Sequence, residues 1–195
     1  MASGTESSCP ALSKKPAIFD PTSWIVFLAV LVAGLTGDLL SKAWVFDYLL
    51  QRPGETINVL PGFLRFSLST NPGIVFGIRA PGYLVLLATL AAVLIVVYLF
   101  AASDRTAKFL HVALAMVLAG SIGNAYDRIF SYVQFADEKN PRIGQVRDFI
   151  DAYVQKTHWP TFNIADALLV AGVCMIIFYM LVIERKAKQP QAQKR

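Results

Sequence analysis

Asp148, Asp151 and Asp166 are the residues whose type and setting offer chemistry, because each lies beside a mostly apolar stretch where a carboxyl is incompletely hydrated. Two carboxyls a few ångströms apart cannot both ionise easily. They share a proton, so that one acts as base on a water and the other as acid toward a carbonyl or a leaving amine. Asp166 paired with either Asp148 or Asp151 would have this capacity, and the residue types alone leave both pairings open. Asn124-Ala-Tyr-Asp127-Arg128 and Asn163-Ile-Ala-Asp166 each set an amide three residues before a carboxylate, on one face if the segment is helical. Such an amide can donate to a carboxylate or to a bound peptide carbonyl; the plainer reading is a pair of polar clamps between helices. Asp38 and Lys42, four apart, are expected to form a structural ion pair. His111 and His158 fall on opposite sides of the membrane in the topology below, and neither Gly-x-Ser-x-Gly nor His-Glu-x-x-His occurs, which argues against histidine-based hydrolysis. Two cysteines, Cys9 and Cys174, are too few for a disulfide framework or a four-cysteine metal site.

The elements that must position these groups are membrane spans. Of 195 residues, 55% are hydrophobic and 16% charged, against roughly 25% charged in an ordinary soluble domain. The apolar residues gather into four blocks that approach the ~20 residues a bilayer requires, predicting an all-α polytopic membrane protein with spans at about 24–46, 80–102, 109–130 and 162–183. The first block is too long for a cleavable signal peptide and has no Ala-x-Ala-like site before Asp38. The expected organisation is a disordered cytoplasmic tail over 1–22, a transmembrane domain over 23–184 and a basic cytoplasmic tail over 185–195. Lys and Arg are dense on the side of the termini, with Arg185 and Lys186 directly after the last span, so both termini are expected in the cytoplasm. The basic residues form no stripe suited to nucleic acid. Asp38, Lys42, Arg79, Asp127, Arg128 and Asp166 then all sit at the opposite, extracytoplasmic ends of the spans. Since a charge at a helix centre costs about 2.5–3.5 kcal/mol on insertion scales, such a cluster suggests one shared site, the alternative being side chains that reach for the interface. A small proton- or ion-coupled transporter is the competing class, but it would be expected to carry carboxylates near the midplane or on both sides.

Between the first two spans, Leu64-Arg-Phe-Ser-Leu-Ser alternates as a half-buried strand does, flanked by the turn signals Pro61-Gly62 and Asn71-Pro72-Gly73. A small extracytoplasmic β element is expected there.

Taken together, Asp38-Leu-Leu-Ser-Lys42, Asn71-Pro-Gly73-Ile-Val-Phe76, Gly120-Ser-Ile-Gly123-Asn124-Ala-Tyr-Asp127-Arg128, Val146-Arg-Asp148-Phe149 and Phe162-Asn163-Ile-Ala-Asp166 resemble, in order, the motifs of lipoprotein signal peptidase, the signal peptidase II family of bacterial aspartic peptidases. The resemblance implies that Asp148 and Asp166 are catalytic, and so selects Asp148 over Asp151. It implies that Asn71, Arg128, Asn124 and Asn163 bind substrate or order the site, and that Asp38, Lys42, Asp127, Gly73 and Gly123 support it. It implies a diacylglyceryl prolipoprotein substrate cut just before the lipidated cysteine, contact with membrane lipid, no metal or cofactor, and action as a monomer in the bacterial inner membrane with the active site at the extracytoplasmic face.

The chain departs from the family pattern in three places. Ile74, Val75 and Gly77 stand where small Ala-Ala and Ser are usual. Arg147 precedes Asp148, and a cation there is expected to lower that carboxyl's pKa. Residues 131–145 form an apparent insertion, expected to be a surface elaboration.

Overall fold

Asp20 opens the first long helix by accepting hydrogen bonds from the Ser23 amide at 2.9 Å and the Ser23 hydroxyl at 2.7 Å, with Pro21 in the first helical position where its missing N–H costs nothing. In the computed structural model, which describes residues 15–73 and 82–184, this helix is α1, Pro21–Leu50. It is followed by strands β1 (Ile57–Leu60) and β2 (Leu64–Asn71), helices α2 (Gly82–Ala102) and α3 (Lys108–Phe130), strands β3 (Tyr132–Val133), β4 (Arg142–Ile143), β5 (Val146–Val154) and β6 (Thr157–His158), and helix α4 (Ile164–Phe178). A wider helical turn, Tyr179–Glu184, continues α4. Among the described residues four helices are long and apolar enough to cross a membrane. Their outward surface is a belt of exposed apolar side chains such as Leu87, Leu94, Tyr98, Val170 and Ile177, as a membrane-crossing helix presents.

α3 is the central helix: 44% of its apolar window is buried, against 17%, 11% and 11% for α1, α2 and α4. Small residues let its neighbours approach. A Cβ on Gly120 would run into the Ala165 carbonyl, and one on Gly172 would lie 2.8 Å from the Ala113 carbonyl, the close backbone contact that lipid-embedded helices favour.

At about 1.5 Å per residue, α1's 30 residues span roughly 45 Å, more than a ~30 Å hydrocarbon core. The excess explains why α1 runs past the 24–46 expected for it. Its last turns place Val45, Phe46 and Leu49 under an antiparallel sheet of order β1-β2-β5-β6, packed with Phe149 and Val133. A second apolar cluster, including Phe27, Phe100, Leu114 and Leu118, fills the other end of the bundle.

Three expectations change. Residues 15–22 are not part of a free tail: Pro16 bridges Asp104, the Ala17 amide donates to Ser103, Ala17–Phe19 form a 3-10 turn, and Lys108 holds Asp20 at 2.8 Å. Residues 131–145 are more than a surface elaboration. Val133 enters the cluster beneath the sheet, and Arg142 donates to the Thr70 hydroxyl at 2.9 Å, because the hairpin has one apolar and one pinned edge. The fourth helix begins at Ile164, with Asn163 as its cap, not at residue 162. Ile74, Val75, Phe76, Gly77, Arg79, Cys9 and the 185–195 tail lie outside the described residues.

Candidate active site

The site forms where the ends of α1 and α3, the start of α4 and strand β5 meet. β5 was read from sequence only as a mostly apolar run. It pairs with β2 on one side, and at Ile150 it bridges Phe162 just ahead of α4: the Phe149 and Ile150 amides both donate to the Phe162 carbonyl. This backbone tie brings Asp148 beside Asn163.

Asn163 has extended backbone angles and caps α4. Its side-chain oxygen accepts from the Asp166 amide at 2.9 Å, while the Asp166 carboxylate accepts from the Asn163 amide at 3.3 Å. This reciprocal capping box is the physical reason for the Asn-x-x-Asp spacing here, in place of the shared helical face expected from it. The Asn163 side-chain nitrogen is left free to donate to Asp148 Oδ1 at 2.7 Å and to Asn124 Oδ1 at 3.2 Å. Asn124 in turn donates to Asp166 Oδ1 at 2.8 Å. Asp148 and Asp166 are therefore both hydrogen-bonded to Asn163, and Asp166 also to Asn124.

Behind the amides lies a fully buried charge network. Lys42 Nζ reaches Asp38 Oδ2 at 2.8 Å, Asp127 Oδ2 at 3.2 Å and Asn124 Oδ1 at 3.1 Å. An ammonium only donates, so it fixes the Asn124 amide with oxygen toward Lys42 and nitrogen toward Asp166. Asp38 Oδ1 accepts from the Ala165 amide at 2.8 Å, supplying from α1 a partner for an N–H that the start of α4 leaves unpaired. Gly123 makes room for this: a Cβ there would stand 2.5 Å from Asp38 Oδ2.

Arg147 departs from its expected role. Its guanidinium and amide donate to Asp127 at 2.6–3.0 Å, so its charge is spent on Asp127 instead of lowering the pKa of Asp148. Burial pushes the Asp148 carboxyl up, the like charge of Asp166 adds to this, and the Asn163 hydrogen bond offsets it in part, leaving a pKa of about 7. Asp151 is different. Burial opposes its charge, but hydrogen bonds from His158 at 2.8 Å and Arg65 at 2.6 Å hold its carboxyl below the usual range. Asp38, Asp127 and Asp151 are thus each neutralised by a cation, whereas Asp148 and Asp166 are bonded, among the described residues, by amides alone. Asp148 is almost fully buried and Asp166 half-buried.

Arg128, at the end of α3, donates to the Gly73 carbonyl, and Asn71 Oδ1 accepts from the Gly73 amide at 2.8 Å. The pair expected to bind substrate therefore grips Gly73 at the end of β2, with the Arg128 charge in electrostatic reach of Asp148 and Asp166. The contacts that sequence reasoning missed are the Asp38 cap on α4 and the Lys42–Asn124 link. The capping-box pattern ahead of an apolar run was the available signal for Asn163.

The sequence profile described as signal peptidase (SPase) II matches residues 28–182. A lipoprotein signal peptidase from Sulfurihydrogenibium sp. (strain YO3AOP1) is 31% identical over 169 residues, covering 83% of this chain and 94% of the relative. One from Bifidobacterium longum (strain DJO10A) is 36% identical over 158 residues, covering 80% and 79%. A solved bacterial membrane enzyme, determined by the in meso method at 2.3 Å resolution, superposes with a TM-score of 0.63 at 28% identity, covering 84% of this chain and 89% of the other. With this profile match spanning most of its length, the chain belongs to the signal peptidase II family.

Proposed function

We propose that the protein is a membrane peptidase that removes signal peptides from lipoprotein precursors by aspartic chemistry, with Asp148 and Asp166 as the catalytic residues. Family membership supports the peptidase activity on lipoproteins and a bacterial inner-membrane location. The observation that carries the chemistry is that these two carboxyls share hydrogen bonds to Asn163 while their acidic neighbours are paired with cations.

The reaction follows from one proton held between the pair. Asp148, with its pKa of about 7, holds the proton below neutral pH and still holds it in a substantial share of molecules at neutral pH. The Asp166 carboxylate takes a proton from water, whose oxygen bonds to the scissile carbonyl carbon, while Asp148 passes its proton to the carbonyl oxygen. The tetrahedral diol then collapses: Asp166 protonates the departing amine, the C–N bond breaks, and Asp148 recovers a proton from the diol hydroxyl. Asn163 and Asn124 orient the carboxyls, and Lys42 acts through Asn124 as a positioning residue. Asn71, Arg128 and Gly73 form the margin against which a substrate backbone lies.

On this reading both termini are cytoplasmic and the sheet is extracytoplasmic. The diacylglyceryl group of the precursor, contributing about 0.8 kcal/mol per buried CH₂, stays in the bilayer and brings the bond before the lipidated cysteine to the level of the carboxyls. The protein acts as a monomer in contact with lipid and needs no metal. The test is cleavage of a diacylglyceryl precursor by the purified protein in liposomes. Asp148→Asn and Asp166→Asn must each abolish it while remaining folded; near-normal turnover in either refutes the assignment.

A further inference from the structure

Residues 131–145 have an amphipathic design that the peptidase reading does not use. Val133, 2% exposed, points into the cluster beneath the sheet, and Ser131 donates to the Gln145 carbonyl at 2.6 Å. The neighbouring cross-strand pair, Tyr132 with Ile143, is 66% and 67% exposed. A two-stranded hairpin facing water would carry polar residues on that face. This one carries an aromatic and a β-branched aliphatic side chain.

The apolar face continues a membrane surface. Ile129 and Phe130, in the last turn of α3, are 55% and 65% exposed, and Tyr126 stacks near Phe130 at a centroid distance of 5.0 Å. Only Ser131 separates Phe130 from Tyr132. The return strand is held against the same helix end because Gly144 has φ +65° and sits where a Cβ would come 2.9 Å from the Arg128 carbonyl, with its amide donating to Ser131 at 3.0 Å. A lipid-covered helix surface and the exposed hairpin pair are thus contiguous along the chain.

We propose that the 131–145 hairpin is an interfacial anchor, with Tyr132 and Ile143 inserted at the boundary between lipid headgroups and acyl chains beside the end of α3. Tyrosine suits that depth, since its ring is apolar and its hydroxyl stays hydrated. The anchor has a mechanical connection to the site: Arg142 and Gln145 both bond the Thr70 hydroxyl, at 2.9 and 2.7 Å, one residue before Asn71. Lipid contact by the hairpin therefore sets the depth of the β2 end. The inference rests on the membrane placement of α3 and not on the chemistry of the carboxyls.

The experiment uses the full chain in liposomes, with Cys9→Ser and Cys174→Ser, and nitroxide labels at Tyr132→Cys, Ile143→Cys, Ile129→Cys and Lys139→Cys in turn. Oxygen, which partitions into lipid, and a water-soluble nickel chelate are compared as relaxing agents. Labels at 132 and 143 are expected to give an oxygen-to-nickel ratio within about twofold of that at 129 and about fivefold or more above that at 139. A ratio at either site as low as at 139 overturns the proposal. So does protection of both labels from both reagents, which would mean that protein covers the face. Because no cleavage is measured, failure here leaves the peptidase reading standing, and the reverse is equally clear.

Discussion

Replacing Asp148 by Asn should stabilise the protein while abolishing its activity, and the gain should depend on pH. The carboxyl's pKa rises from 3.8 to about 7 on folding. Between these values the folded state binds more protons than the unfolded state, so stability falls as pH rises through this window and stays lost above it. About three pKa units at 1.36 kcal/mol each amount to a cost on the order of 4 kcal/mol at pH 8, absent near pH 4. Asn reproduces the protonated form, accepts the same Asn163 hydrogen bond and carries no charge. Unfolding midpoints of both forms in detergent, measured from pH 4 to pH 8, should diverge with rising pH until the variant leads by about 10 °C, given ~2–4 °C per kcal/mol for a chain of this size. Asp166→Asn removes the like charge that helps raise the Asp148 pKa, so the loss between pH 4 and pH 8 should be smaller in that variant than in the wild type. A gap that is flat with pH, or a variant less stable at pH 8, would refute the account of a buried carboxyl held protonated by its surroundings.

Further outcomes follow from the same contacts. Asp151→Asn should keep cleavage within about threefold, and should cost on the order of 1 kcal/mol at neutral pH, a loss that shrinks in acid as the native carboxyl protonates; abolished turnover would return Asp151 to the catalytic list. Asn163→Asp keeps an acceptor for the helix cap but replaces the donor to Asp148 with a third buried carboxyl. It should therefore destabilise by about 3–5 kcal/mol at neutral pH and by less in acid, while kcat falls by a factor on the order of 100 or more. Lys42→Met leaves Asp38 and Asp127 without their shared cation and should destabilise by about 3–5 kcal/mol. Adding Asp38→Asn, which still accepts from the Ala165 amide but removes the carboxylate charge that Lys42 had paired, should recover part of that loss, as a double-mutant cycle would measure. Gly123→Ala drives a methyl against Asp38 and should cost about 1–3 kcal/mol, read by thermal unfolding.

The apolar blocks made four helices legible because lipid imposes a length and forbids charge, and the apolar–polar alternation over Leu64–Ser69 between two turn signals made β2 legible, although in the fold both of its faces are about equally half-buried. β5 was not, since Val146–Val154 is covered on several sides and its buried residues do not alternate with exposed ones. Asp38 and Lys42 were recognisable as a pair from their spacing. Their further partners, Ala165 and Asn124, were not, because contacts across 127 and 82 residues leave no local trace. Asp148 and Asp151 could not be distinguished by type. What separates them physically is the company they keep, amide against cation, which depends on how β2, β6 and α4 meet β5.

The hydrogen bond from the Ala165 amide to Asp38 has a consequence for biogenesis. Its two ends are 127 residues apart, so at about 5–20 residues per second the ribosome delivers the second roughly 6–25 s after the first. Throughout that delay the earliest span must wait with an ionic pair whose third anchor has not yet been synthesised. Nascent chains arrested before the final span should consequently be the forms that quality-control proteases extract and degrade, which makes completion of translation itself a checkpoint in assembly.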